Sequence, residues 1–126
     1  MGSKSYHLLP GGGVDYRETM GDAVVREVLE ETGLAVACGP LLFANDTIDP
    51  RGVRHVVNLT FAATITGGSI TDAPQDERVE AVDLVTPESL DTLDLRPPMA
   101  WAIQDHLAGR PSENPYLGPL FTEGRA

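Results

Sequence analysis

The chain of 126 residues is 41% hydrophobic and 22% charged, with a net charge of −10 and a pI near 4.5. That length and balance describe one ordinary globular domain with a modest core, and the acidic field excludes nucleic acid polymers and anionic membranes as natural partners. The same field repels a phosphorylated substrate unless metal ions are bound first.

Met1–Ser5 is too short and polar for a signal peptide, and no apolar run approaches a membrane span. Cys38 is the single cysteine, which leaves no disulfide framework and no cysteine-based metal site; it reads as a core residue of a cytoplasmic protein. Tyr6–Leu9 reads as a short strand that enters the loop Pro10-Gly11-Gly12-Gly13. Glycines let backbone N–H groups approach an anion closely, so this loop can fold against a phosphate or simply turn.

A helix follows. Thr19 with Asp22 forms a capping-box variant at its start, and Gly33 after Thr32 is a left-handed stop. At about 100° of rotation per residue, Glu27, Glu30 and Glu31 fall at i, i+3 and i+4 and share one arc. Val25, Val28 and Leu29 point the other way, so the spacing predicts a helix packed on an aliphatic face and open on a carboxylate face. Like charges at this spacing repel by a few tenths of a kcal/mol per pair, and a positive partner belongs there. Hard divalent cations such as Mg²⁺ take oxygen ligands and bind one or two carboxylates together with substrate phosphates.

Beyond Gly33, Leu34–Ala37 and Pro40–Thr47 read as strand, and Asp49-Pro50-Arg51-Gly52 as a turn. Val53–Ile65 is the longest strand signal, closed by Gly67-Gly68, and Asp72–Arg78 is a polar loop. Glu80–Val85 is expected to return as a strand, Pro87–Leu90 to form a short turn or helix, and Met99–Leu107 a second helix after Pro97-Pro98. From Gly109 the chain is rich in Pro, Gly, Asn and Ser, and an irregular tail is expected, with Tyr116, Leu117 and Phe121 as docking points. His7, His55 and His106 lack partners at metal spacing. Arg51 and Arg54 are either loop surface or contacts for a distal phosphate or ribose, and Tyr16 is either exposed or stacked on a base.

Gly12, Glu18, Arg26, Glu27, Val28, Glu30, Glu31, Gly33 and Leu34 together resemble the complete Nudix box. Nine such positions coincide by chance with a probability on the order of 10⁻⁹ to 10⁻¹⁰ per start, which disposes of a merely solvated acidic helix. The resemblance implies an α/β fold, a Nudix-like α/β/α sandwich with a mixed sheet between helices, over residues 1–126 as one domain. It implies hydrolysis of a nucleoside diphosphate linked to another moiety, by water attack on phosphorus, with Mg²⁺ or Mn²⁺. Glu27, Glu30 and Glu31 then become the metal ligands, and Arg26 positions the motif by pairing with a carboxylate such as Glu18. Glu18 is structural or a ligand to an extra metal, and Gly11, Gly12 and Gly13 admit the pyrophosphate. The general base is a box glutamate such as Glu27 or Glu30, or a carboxylate of a later loop, here Glu77 or Glu80, with Asp76 behind them.

Such domains normally carry a strand or hairpin before the glycine loop, and Met1–Ser5 is too little chain to supply it. An unpaired sheet edge is a liability unless another chain covers it, so a homodimer, with or without exchanged strands, is expected. Substrate choice lies outside the box. Pro50 stands at about the spacing after Leu34 seen in many ADP-ribose pyrophosphatases of this family, although a turn proline has a structural explanation too. An ADP-ribose or nucleotide-sugar substrate is favoured over a nucleoside triphosphate. A non-catalytic nucleotide-sensing module is the third alternative, against which all the metal glutamates are kept.

Overall fold

A computed structural model describes residues 6–71, 75, 79–110 and 113–120. In chain order the elements are helix α1 (Met20–Thr32), strands β1 (Leu34–Ile48) and β2 (His55–Gly68), a 3-10 turn (Pro87–Thr92), helix α2 (Ala100–Leu107) and strand β3 (Tyr116–Pro119). The sheet order is β2-β1-β3. β2 returns antiparallel on β1 through the turn at Asp49, where Gly52 N–H donates to the Asp49 carbonyl at 2.9 Å and Asp49 N–H to Arg54 at 2.9 Å. β3 lies parallel to β1, with Ala44 opposite Tyr116 and Asp46 opposite Pro119. A mixed sheet with helices is the α/β class that the resemblance implied.

The chain divides into two compact units. One comprises Pro10–Leu42 and Phe61–Leu84, the other Met1–Leu9, Phe43–Thr60 and Val85–Ala126. The first holds α1. Its capping box is complete: Asp22 N–H donates to Thr19 Oγ1 at 3.0 Å and Thr19 N–H to Asp22 Oδ2 at 3.3 Å. Gly33 ends the helix at φ 81°, a left-handed conformation, and an added Cβ would stand 2.4 Å from the Ser69 carbonyl oxygen, so only glycine fits there. The carbonyls of the last turn are closed by a distant segment. Gln75 N–H donates to Glu30 O at 3.1 Å, Thr71 N–H to Thr32 O at 2.9 Å and Ser69 N–H to Gly33 O at 3.3 Å.

The burial of α1 differs from the pattern the spacing predicts. Val25 and Leu29 are exposed, whereas Ala23, Glu31 and Thr32 are buried. Glu31 is buried where the Gly11 N–H meets its carboxylate, and Thr32 where its hydroxyl donates to the Val28 carbonyl and accepts from Leu34 N–H.

In the second unit Phe43, Leu90, Leu95, Met99 and Ala102 are buried, and Met99 is 1% exposed. α2 packs on the 3-10 turn, tied by Gln104 Nε2 to the Pro87 carbonyl at 2.9 Å and to Asp91 Oδ1 at 3.1 Å. Phe43 meets the His106 ring edge-on at 6.4 Å. Asn45 is also buried; its Nδ2 donates to the Asp46 carbonyl and to Thr47 Oγ1, while its Oδ1 has no protein partner among the described residues.

Several elements depart from the sequence expectation. Leu34–Ile48 is one continuous strand rather than two pieces. Pro40 is accommodated well before the β3 contacts begin at Ala44, so β1 needs no ladder donor toward β3 there. Tyr6–Leu9 forms a single bridge, His7 to Leu95, in place of a strand. Glu80–Val85 is not a strand, because a strand exists only through its ladder and this stretch joins none among the described residues. The tail, expected to be irregular, contributes β3. There Ala44 N–H donates to Pro115 at 3.0 Å, Leu120 N–H donates to Asp46 at 2.7 Å, and the Tyr116 hydroxyl donates to Asp46 Oδ2. Met1–Ser5, Asp76, Glu77 and Phe121 lie outside the described residues. Among the described residues no helix is long and apolar enough to cross a membrane.

Candidate active site

Arg26 is the centre of the glycine-loop unit. Its Nε and Nη2 donate to the two oxygens of Glu18 at 2.6 and 2.8 Å, a bidentate fork, and Nη2 also reaches the Gly13 carbonyl at 3.1 Å. The remaining nitrogen, Nη1, faces two other carboxylates, Glu27 Oε1 at 2.8 Å and Glu30 Oε2 at 3.4 Å. Asp15 stands 3.5 Å from Nε. The helix provides this arrangement because residues 26, 27 and 30 lie within little more than one turn, and Glu18 precedes the cap on the entering loop.

Glu18 is presented by a tight turn. Its N–H donates to the Asp15 carbonyl at 3.0 Å, and the Asp15 N–H returns to Glu18 Oε1 at 3.0 Å. Arg17, third in that turn, has φ 70°, a conformation uncommon outside glycine and asparagine. The Arg26 fork, helped by the Asp15 N–H, pulls the Glu18 carboxyl down to about 2, with burial opposing. Glu18 first, and then Glu27, raise the Arg26 guanidinium well above its ordinary value. Both groups are therefore ionised throughout the physiological range.

The glycine loop is fixed to the same helix. Gly11 N–H is shared between the two oxygens of Glu31, at 3.3 and 3.2 Å, and Glu31 is 8% exposed. Gly12 approaches Glu27 so closely that a Cβ would lie 2.6 Å from Oε1, while at Gly13 a Cβ would meet nothing within 4 Å. Thus Glu27 and Glu30 converge on Arg26, and Glu31 turns to the loop backbone. Among the described residues no three acidic, His or Cys side chains are gathered as for a metal ion.

The donor set nevertheless suits a hard divalent cation. It consists of carboxylate oxygens only, and the four carboxylates Asp15, Glu18, Glu27 and Glu30 share one guanidinium, leaving three negative charges over. Glu80 is exposed and has no hydrogen bond to Glu27, Glu30 or Glu31. Asp15, the Gly13 carbonyl and the Gln75 N–H escaped the sequence reading. For Asp15 a signal was present, since Asp is favoured at the first position of a turn and Glu18 stands at its fourth. A backbone donor such as Gln75 N–H leaves no trace in side-chain identity.

Two further residues named from the sequence, Arg51 and Tyr16, make contacts outside this cluster. Arg51 pairs with its neighbour Asp49, through Nε at 3.2 Å, and this contact holds the Asp49 carboxyl below its usual range. Tyr16 is 85% exposed, with the Arg17 guanidinium 5.4 Å from its ring centre.

The chain belongs to the Nudix family, whose domain matches residues 2–107. It is similar to an ADP-ribose pyrophosphatase of Methanocaldococcus jannaschii, 39% identical over 83 residues, which cover 64% of this chain and 48% of that protein. The chain thus matches about half the length of this relative.

Proposed function

We propose that the chain is a Nudix pyrophosphohydrolase that cleaves the phosphoric anhydride of a nucleoside diphosphate linked to another moiety, of the ADP-ribose or nucleotide-sugar type. The observation that carries this is the convergence of Glu27 and Glu30 beside a glycine loop pinned to Glu31, with Arg26 braced by Glu18. The similarity to an ADP-ribose pyrophosphatase supports the substrate class.

Glu27, Glu30 and Glu31 hold Mg²⁺, or Mn²⁺, with Glu18 as brace or further ligand. The bound cation supplies charge neutralisation at the anhydride and an acidified water. Gly11, Gly12 and Gly13 leave room for the pyrophosphate, since backbone donors without Cβ can approach it. A box glutamate or Glu80, with Glu77 and Asp76 as the further candidates that the sequence offers, takes the proton from the attacking water. The free thiol of Cys38 is in keeping with the cytoplasm as the place of action. A homodimer belongs to the same proposal: β2 carries no Asp, Glu, Lys or Arg over its 14 residues and has only β1 beside it among the described residues, an edge that favours a second strand.

The test is a screen of nucleoside diphosphate derivatives and triphosphates with Mg²⁺. AMP and ribose phosphate released from ADP-ribose support the proposed class, whereas pyrophosphate from a triphosphate replaces it with triphosphate hydrolysis. Tight, metal-insensitive binding without turnover points to a sensing module. Glu30→Gln should remove metal-dependent hydrolysis and leave the circular dichroism spectrum unchanged; an active variant refutes the mechanism.

A further inference from the structure

A guanidinium carries five N–H donors in a fixed plane, and in Arg26 all five are engaged. Three belong to one side: two short bonds to Glu18 and one to the Gly13 carbonyl. The other two are both on Nη1, one good bond to Glu27 and one long contact to Glu30. The two sides differ in exposure as well as length. The Glu18 side chain is 15% exposed and the Glu30 side chain 39%, so the weaker contact is also the more open one.

The oxygens that Nη1 holds are those a divalent cation would need. Building on the metal-dependent mechanism proposed above, we infer that Arg26 is an exchangeable counter-ion. Its Nη1 keeps Glu27 and Glu30 drawn together against their mutual repulsion, and a divalent cation takes these carboxylates by displacing Nη1, while the fork to Glu18 retains the guanidinium beside the site. The asymmetry makes the exchange possible. Releasing Nη1 gives up one normal and one long hydrogen bond, and the charge that replaces it is twice as large. The bidentate fork and the Gly13 carbonyl are untouched, so the loop and the cap of α1 keep their frame. Glu18 thereby becomes a tether rather than a ligand, and Arg26 a positioning residue that also sets metal affinity.

A merely structural arginine and an exchangeable one predict opposite signs. The experiment is calorimetric titration of the full chain with Mn²⁺. Arg26→Gln removes the competing charge and should tighten Mn²⁺ binding by roughly tenfold. Glu18→Gln frees the guanidinium to settle on Glu27 and Glu30 and should weaken binding by a similar factor. If Arg26→Gln binds Mn²⁺ as the unsubstituted chain does, or more weakly, the exchange is overturned while the metal-dependent mechanism stands. If the unsubstituted chain binds no Mn²⁺, that mechanism falls and the exchange with it.

Should Arg26→Gln fail to fold, the unsubstituted chain still decides the matter. In nitrogen-15 spectra Mg²⁺ should move the Arg26 Nη1 resonance and restore rotation about Cζ–Nη1, while Nε–H and Nη2 remain hydrogen-bonded to Glu18. Nε and Nη1 signals that move together, or not at all, overturn the exchange.

Discussion

Gly12 and Glu27 touch in a way that no larger residue at position 12 allows: an added methyl carbon would lie 2.6 Å from Glu27 Oε1 and 2.9 Å from Oε2. The end of a glutamate can usually swing aside, but here Arg26 Nη1 holds Oε1 at 2.8 Å and the side chain is 16% exposed. Gly12→Ala should therefore displace the Glu27 carboxylate and lower kcat by about a hundredfold, a loss typical of a misplaced catalytic group. Gly67→Ala, where an added Cβ would meet nothing nearer than Ala35 at 4.0 Å, is the control and should keep most of the activity. Steady-state kinetics of the two variants read the difference.

Glu31 has two tasks that substitution can separate. Its carboxylate accepts the Gly11 N–H and is proposed to hold metal. Glu31→Gln keeps an acceptor oxygen for Gly11, so the melting temperature should change little while Mn²⁺ affinity falls roughly tenfold. Glu31→Ala loses both, and the Gly11 N–H, on an exposed residue, exchanges the carboxylate for water, so the melting temperature should fall modestly as well. Thermal melts and calorimetry on the same samples check the split.

The Glu18 carboxyl, pulled to about 2 by Arg26, links this contact to acid stability. A depressed carboxyl contributes stability that is fully present above its ordinary value of 4.5 and is lost as pH falls through about 2. Glu18→Gln should accordingly be less stable than the unsubstituted chain at pH 7. The gap should narrow steadily below pH 4.5. Urea midpoints at pH 7, 4 and 3 test this; a gap that does not depend on pH would remove the ionic account.

Asp46 fastens the C-terminal strand, accepting from the Tyr116 hydroxyl through Oδ2 while Oδ1 is 2.8 Å from His55 Nε2. Tyr116 first, and then His55, lower the Asp46 carboxyl, and Asp46 raises the Tyr116 hydroxyl. The tie is thus complete between the ordinary values of 3.8 and 10.0, and is lost as pH falls through the lowered carboxyl value or rises through the raised phenol value. Tyr116→Phe should speed amide exchange at Ala44, whose N–H donates to Pro115, several-fold across that plateau. Hydrogen exchange followed by NMR gives the measurement.

Local signals carried most of what was legible in the sequence. The cap at Thr19, the stop at Gly33 and the turn at Asp49 each depend on residues within a few positions, and all three form where the spacing puts them. Val25 and Leu29 are apolar yet exposed, while Glu31 is buried against the Gly11 N–H of the glycine loop, a backbone contact that has no hydropathy to read. β3 was hidden for a similar reason. A short parallel strand rests on the ladder offered by Ala44 and Asp46 and on one tyrosine hydroxyl, and composition in the tail gives no sign of either. At the candidate site the residue types were evident, but how they divide among Arg26, Gly11 and Gln75 depends on distances in space.

The last turn of α1 has a consequence for the order in which the protein acquires its site. The carbonyl of Glu30 is closed by Gln75, 45 residues further along the chain, and that of Thr32 by Thr71. During synthesis the helix can start at its own cap and stop at Gly33, whose N–H closes the Leu29 carbonyl, but the carbonyls of Glu30 and Thr32 gain their backbone donors only when the later segment emerges. Maturation of the site is therefore timed by translation beyond residue 75, and a ribosome stalled before that point should display a nascent helix whose Glu30 and Thr32 carbonyls are still open to water.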